Sequence, residues 1–256
     1  MQGDAARRID GFPGAVDPAA AGAVVRGRAR ERWVRETAFG TWFIATKVWR
    51  HQVIRAALLD LQRLLPPRPR YPVVLDLGCG AGRALRLLDI LFRPDHAIGI
   101  DIDRVQLGHA VPEARRCRCE VSLRVGTAGD LPVPDRSVDM VFCHQTFHHL
   151  SDHDAAIREL YRVLRPAGTL LFAESCRRYI RSVPIRLLFR HPMQVQKSAG
   201  EYLALLRGAG FEIRPEAVAT PYPWWSRPDL GILEWLGRPV HAPREPTLVH
   251  VAARRL

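Results

Sequence analysis

The sequence predicts an α/β fold in which a seven-stranded, mostly parallel sheet carries helices on both faces and an antiparallel strand at one edge. Three observations lead there. Short apolar runs of strand length alternate with stretches of helical periodicity between residues 71 and 208. The first run, Val73-Val-Leu75, ends in Asp76 and a turn spaced by Gly78, Gly80 and Gly82, before a helix-like stretch over residues 84–91. The last two strand-like segments are joined by residues 220–245, which hold no convincing crossover helix, so they pair antiparallel.

Residues 1–30, rich in Ala, Gly and Arg with Pro13 and Pro18, read as a flexible leader. From residue 31 to 65 the pattern is helical: Trp42, Phe43, Trp49, Val53, Leu58, Leu61 and Leu65 recur at spacings near three and four. Pro66, Pro67 and Pro69 end that helix, so residues 31–70 form an N-terminal helical cap and residues 71–256 the sheet domain. Strands are expected near 72–77, 97–101, 121–125, 138–143, 168–174, 211–219 and 246–253. Helices are expected near 82–91, 103–110, 152–164 and 198–208. Asp103 stands where an N-cap belongs, Ser151 and Asp152 mark a helix start, and Ser198 with Glu201 has capping-box spacing. Segments 177–197 and 220–245, carrying Tyr179, Tyr222, Trp224 and Trp225, read as insertions that form a lid.

A chain of 256 residues with 47% apolar content can bury one sizeable core. No apolar run reaches bilayer length and no signal peptide is visible, so a cytoplasmic setting is expected. Five cysteines in no paired zinc pattern read as reduced thiols. The formal charge of +12 comes almost wholly from arginine, with Lys47 and Lys197 the only lysines. It leaves nucleic acid or peripheral contact with an anionic membrane open, but no arginine run is interleaved with stacking aromatics.

Four segments carry the chemistry. The glycine turn after Asp76 lets a ligand lie against bare backbone. Ala97-Ile-Gly-Ile-Asp101-Ile102-Asp103 puts an acidic residue at the end of the second strand, where a carboxylate can accept bonds from both hydroxyls of a ribose. That segment alone suits NAD as well as other nucleoside cofactors. Gly126-Thr127-Ala128-Gly-Asp130-Leu131-Pro-Val-Pro-Asp-Arg-Ser-Val-Asp139 follows the third strand, and Leu164-Arg-Pro166-Ala-Gly168 turns into the fifth. In this order and spacing the four resemble the class I S-adenosylmethionine (SAM)-dependent methyltransferases, in the small-molecule group of the ubiquinone and menaquinone C-methyltransferases. The resemblance covers roughly residues 72–174.

That resemblance implies a Rossmann-like domain, SAM as cofactor and S-adenosylhomocysteine as product. It carries over Asp76, Gly78 and Gly80 to the methionine portion and Asp101 with Ile102 to the ribose. Thr127 stands where the family usually has an Asp for the adenine amino group. Either Thr127 with the backbone of Ala128 holds the adenine, or Asp130 swings in to replace the missing carboxylate. Asp139 reads as a support of the fold.

The acceptor is read from Cys143-His144-Gln145-Thr146-Phe147-His148-His149, at the end of the fourth strand. It lacks the Asn/Asp-Pro-Pro-aromatic tetrapeptide of enzymes that methylate exocyclic amines of bases, and nucleic acid becomes the minority reading. His144, His148 and His149 are candidates for a general base, and His144 also for a cofactor contact. No metal is expected, because no carboxylate completes a recognisable triad with them. Cys143 and Cys176 end neighbouring strands, and their thiols could face the donor methyl. The expected activity is methyl transfer to a small, mostly apolar or aromatic metabolite, at oxygen or carbon rather than nitrogen. A SAM-binding protein without transfer activity, or with non-methyl chemistry, is the alternative from another class.

Overall fold

In the computed structural model, residues 36–66 and 70–256 are described. The leader expected over residues 1–30, and the first residues of the cap, lie outside them. One sheet holds β1 (Val73–Leu77), β2 (His96–Asp101), β3 (Glu120–Val125), β4 (Val138–His144), β5 (Leu164–Ser175), β6 (Phe211–Glu212), β7 (Val218–Ala219) and β8 (Leu248–Arg255). The order is β3-β2-β1-β4-β5-β8-β6, with β7 also paired to β8. β1 to β5 are mutually parallel where they meet, while β8 runs antiparallel to β5, β6 and β7. The antiparallel pairing expected at one edge is therefore present. The single strand expected over residues 211–219 is split instead, since Pro215 has no N–H for a ladder and residues Pro215–Ala217 form a 3-10 turn.

Strand alternation sends side chains to two cores. Val73, Leu75 and Leu77 face α5 (His153–Val163) and α8 (Ala199–Gly208), where Leu160, Tyr202 and Leu206 are fully buried. Val74, Met140 and Phe142 face the other way, onto α2 (Arg55–Leu64) and α3 (Leu85–Phe92). Leu58 and Leu61 of α2 are fully buried there, so this helix is a layer of the core as well as an extension of the cap.

The expected N-terminal helix is interrupted. α1 (Ala38–Ile44) stops short, and the hydroxyl of Thr46 accepts the Trp49 N–H at 3.2 Å and so starts the next segment. A π-helical turn, Trp49–Ile54, then leads into α2. The expected caps are in place: Asp103 opens α4 (Arg104–Ala114), Asp152 opens α5, and Ser198 with Glu201 forms a complete capping box on α8. Asp139 accepts the Val73 N–H at 2.9 Å and pairs with Arg165 at 3.0 Å, tying β1 and β4 to the start of β5. Among the described residues no helix is long and apolar enough to cross a membrane.

The chain crosses from β1 to β2 on one side and returns from β3 to β4 on the other. This reversal opens a crevice at the carboxyl ends of β1 and β4.

Candidate functional site

A cavity of about 1370 Å³ occupies that crevice. A single drug-sized ligand needs roughly 300–1,000 Å³, so it has room for two small molecules. Its floor is the glycine turn. Gly78 has φ +72°, and a Cβ there would meet Thr146 Oγ1 at 2.3 Å, so only glycine fits. Gly80 has φ +50°, and a Cβ on it would meet nothing within 4 Å, leaving bare backbone toward the opening. Asp76 is 3% exposed. Its Oδ2 has no hydrogen-bond partner, and burial, then the charge of Asp101, pushes its pKa up to about 8.

Asp101 does more than the sequence implies. Its Oδ2 accepts the Gly80 N–H and its Oδ1 the Asp103 N–H, both at 2.8 Å. One carboxylate thereby shapes the glycine turn and the start of α4. Burial raises its pKa, against the pull of those backbone bonds. Ile102 lines the cavity beside it.

On the third side, Thr127 and Ala128 line the cavity, and Asp130 does not. Asp130 is exposed, and its N–H closes a turn onto Thr127 O at 3.2 Å, which carries its side chain away from the opening. The following loop is clamped by Arg162, which donates to Leu131 O, Val133 O, Glu159 and Asp135. Of the two adenine arrangements drawn from the sequence, the geometry is compatible with the Thr127 and Ala128 one.

After β4 the backbone turns sharply at Gln145, a non-glycine residue at φ +53°. Such a conformation persists only where the surroundings hold it; here the Gln145 N–H donates to Ala173 O at 2.9 Å and its Oε1 accepts from Ser175 Oγ at 2.6 Å. His144 stacks on Phe142 and meets the edge of Trp49 at a ring separation of 5.9 Å. Its Nε2 is buried without a partner, and burial lowers its pKa to about 3, so it is neutral and a poor proton acceptor.

His148 differs. Its Nδ1 meets Glu174 Oε2 at 2.8 Å, and Glu174, fully buried on β5, also accepts the N–H groups of Thr146 at 2.6 Å and Phe147 at 2.8 Å. His149 lies against His148 and against His191, at ring separations of 4.3 and 4.8 Å. Burial lowers the pKa of His149, and lowers that of His191 to about 3. Glu174 and His191 were not singled out from the sequence. Glu174 sits inside an apolar strand run with nothing local to mark it, and His191 is brought in only by the fold.

The residues after β5 cover this side. α6 (Arg177–Ile180) and α7 (Val183–Leu188) precede Phe189, which packs edge-on against Phe39 at 5.6 Å and Phe43 at 6.0 Å. Thr37 Oγ1 donates to Leu188 O at 2.5 Å and Glu36 accepts the Arg190 N–H at 2.8 Å, so α1 and this segment are laced together. Phe43, Trp49, Tyr179, Trp224 and Trp225 line the cavity, whereas Trp42 is 61% exposed and points elsewhere. Cys143 and Cys176 are fully buried in the core and line no part of the cavity. Neither thiol faces the cavity, and burial pushes Cys176 up to about 12.

Residues 75–172 match the family model described as a methyltransferase domain. A probable S-adenosylmethionine-dependent methyltransferase of Mycolicibacterium smegmatis is 37% identical over 141 residues, 55% of this chain and 52% of the relative. Phosphoethanolamine N-methyltransferase 3 of Arabidopsis thaliana is 28% identical over 184 residues, 69% of this chain and 35% of the relative. The chain thus spans about half the length, or less, of these curated relatives. Among solved structures, an S-adenosylmethionine-dependent methyltransferase of Mesorhizobium loti superposes with a TM-score of 0.57 at 21% identity, over 78% of this chain and 98% of that one; this likeness is one of fold. The cofactor that family and fold imply is SAM. Residues 75–172 thus carry a methyltransferase domain, and the relatives together with the Rossmann-like sheet built around it support a class I SAM-dependent methyltransferase.

Proposed function

We propose that this protein transfers the methyl group of SAM to a small, mostly apolar or aromatic acceptor bound in the same cavity. One observation carries the reading. A single cavity runs from the glycine turn to a chamber walled by Phe43, Trp49, Phe189 and imidazoles, and two buried polar atoms on its wall, Asp76 Oδ2 and His144 Nε2, lack partners. Buried polar groups are nearly always paired, so a ligand with donors is the natural complement.

The residues present fit SAM. Asp76, Gly78 and Gly80 would hold its methionine portion, Asp101 and Ile102 the ribose, and Thr127 with Ala128 the adenine; His144 adds a contact near the reacting end. The bound cofactor supplies a methyl group on a sulfonium, open to in-line displacement. The chain's own part is alignment and exclusion of water. The turn at Gln145 presents the β4 end to the chamber, and residues 177–197 with α1 act as a cover.

Apolar and imidazole walls favour an oxygen or carbon acceptor, although the Arabidopsis relative is named for N-methylation. The five unpaired cysteines accord with a cytoplasmic setting.

The test is calorimetry with S-adenosylhomocysteine, SAM and NAD, followed by a mass-spectrometric search of cell extract for a SAM-dependent gain of one methyl group. S-adenosylhomocysteine and SAM should bind while NAD does not. NAD binding as tight as SAM would overturn the cofactor reading. Tight SAM binding without any methylated product would leave a cofactor-binding protein. Methylation only of RNA would transfer the activity to the partner class that the net charge of +12 left open.

A further inference from the structure

His148, His149 and His191 present ring nitrogens that all lie within 4.8 Å of one another on the cavity wall. Two come from the turn after β4 and the third from the covering segment after β5. Ring-on-ring packing is the ordinary explanation of such a cluster, and three further observations go beyond it.

First, His148 has the anchor that metal-binding imidazoles have. A carboxylate accepts, so the 2.8 Å contact to Glu174 places the hydrogen on Nδ1 and leaves Nε2 as the atom on offer. Glu174 is itself immobilised by the Thr146 and Phe147 N–H groups. Second, Nδ1 of His149 is buried with no hydrogen-bond partner, a deficit that ring packing leaves in place. Third, the distant histidine is held in place. The Gln196 side-chain amide donates to His148 O at 2.8 Å and to Pro192 O at 2.9 Å, pinning the residue after His191 to the histidine turn.

We propose that His148, His149 and His191 bind a divalent transition-metal ion, zinc above all, with a fourth coordination position open to the acceptor half of the cavity. Imidazole donors select zinc, copper or nickel over magnesium and calcium, and three histidines with one open position make the donor set of a catalytic zinc site. Zinc–nitrogen bonds of about 2.0–2.1 Å set tetrahedral ligands about 3.4 Å apart. The rings need therefore close in by about 1.4 Å at most, a matter of side-chain torsions. The acceptor role of the ion rests on the methyl-transfer reading above. An acceptor hydroxyl bound at the open position would lose its proton to water and remain as a metal-held oxyanion. The sequence expectation of no metal considered only the local histidines, and His191 and Glu174 supply what they lacked.

The test is titration of chelator-treated protein with zinc(II), read by competition with a chromophoric chelator, and with cobalt(II), read by its visible absorption. One ion per chain should bind at micromolar or lower free metal. His191→Ala and His149→Gln should each weaken binding at least tenfold, and Glu174→Gln by about 10–100-fold. Melting curves of each variant without metal establish that it folds. No uptake by the wild-type protein at micromolar free zinc would overturn the proposal, as would wild-type affinity in a folded His191→Ala protein. S-adenosylhomocysteine binding is measured in parallel, so metal uptake without it would uphold the site and sink the methyl-transfer reading.

Discussion

Replacing Asp101 by alanine removes one carboxylate from three structural tasks at once. Two are visible: the bonds from the Gly80 and Asp103 N–H groups, each at 2.8 Å. The third is the proposed pair of bonds to the cofactor ribose. Each charge-assisted hydrogen bond is worth about 1.5–3 kcal/mol. Losing even one costs at least about tenfold in affinity, since about 1.4 kcal/mol is a factor of ten. The two stranded N–H groups face a crevice that water enters, so the stability cost should sit near the low end of about 1–3 kcal/mol per group. Loop distortion alone could also weaken binding, so a second ligand is needed. Calorimetry should compare S-adenosylhomocysteine with its 2′-deoxy analogue on the wild-type and Asp101→Ala proteins, with thermal melting alongside. If Asp101 holds the diol, removing the 2′-hydroxyl weakens binding to the wild type and hardly alters binding to the variant. An equal penalty on both proteins would show that Asp101 acts only by holding the turn. An unchanged affinity for S-adenosylhomocysteine would refute both roles.

Two further outcomes follow from the same geometry. His144 and His191 have pKa values lowered to about 3, against 6.5 for an ordinary imidazole, so the unfolded chain binds more protons between those values. Their contribution to stability is complete above pH 6.5 and is lost as pH falls toward 3. Asp76, raised to about 8, acts in the opposite sense with one proton. For these three groups the slope is about 1.4 kcal/mol per pH unit near pH 5 and fades to nothing near pH 6.5. The lowered pKa of His149 acts in the same sense as the other two imidazoles. Melting of metal-free protein at pH 5 and pH 7 should show lower stability at pH 5, and equal stability would refute it. The other outcome concerns the cover. Deleting residues 1–48 removes α1 and its aromatic contacts to Phe189 but spares Trp49 and the core helix α2. S-adenosylhomocysteine affinity should persist while acceptor turnover collapses; retained turnover would show that α1 covers nothing.

Features written in neighbouring residues were legible in the sequence by itself. Strand–turn–helix order at Asp76 to Gly82, the acidic end of β2, the caps at Asp103, Asp152 and Ser198, and the alternation that makes a parallel sheet all depend on local backbone preference and side-chain period. Those forces act within a few residues, so a linear pattern records them. The insertion of β8 beside β5, the splitting of residues 211–219 and the burial of α2 depend on which surfaces meet, and no local period carries that information. The site divides the same way. The sequence marked Asp101 as a site residue, but only folding brings it to the Gly80 N–H. It marked His148 and His149 but not Glu174 beneath them or His191 across from them, because those partners are joined through space. Asp130 shows the converse: it belongs to a recognisable motif, and a single turn closed onto Thr127 O carries it out of the cavity. Sequence determined which residue types stand at the ends of the strands. The tertiary structure decided which of them share one cavity, because burial, charge pairing and hydrogen bonding there act between groups that the chain holds far apart.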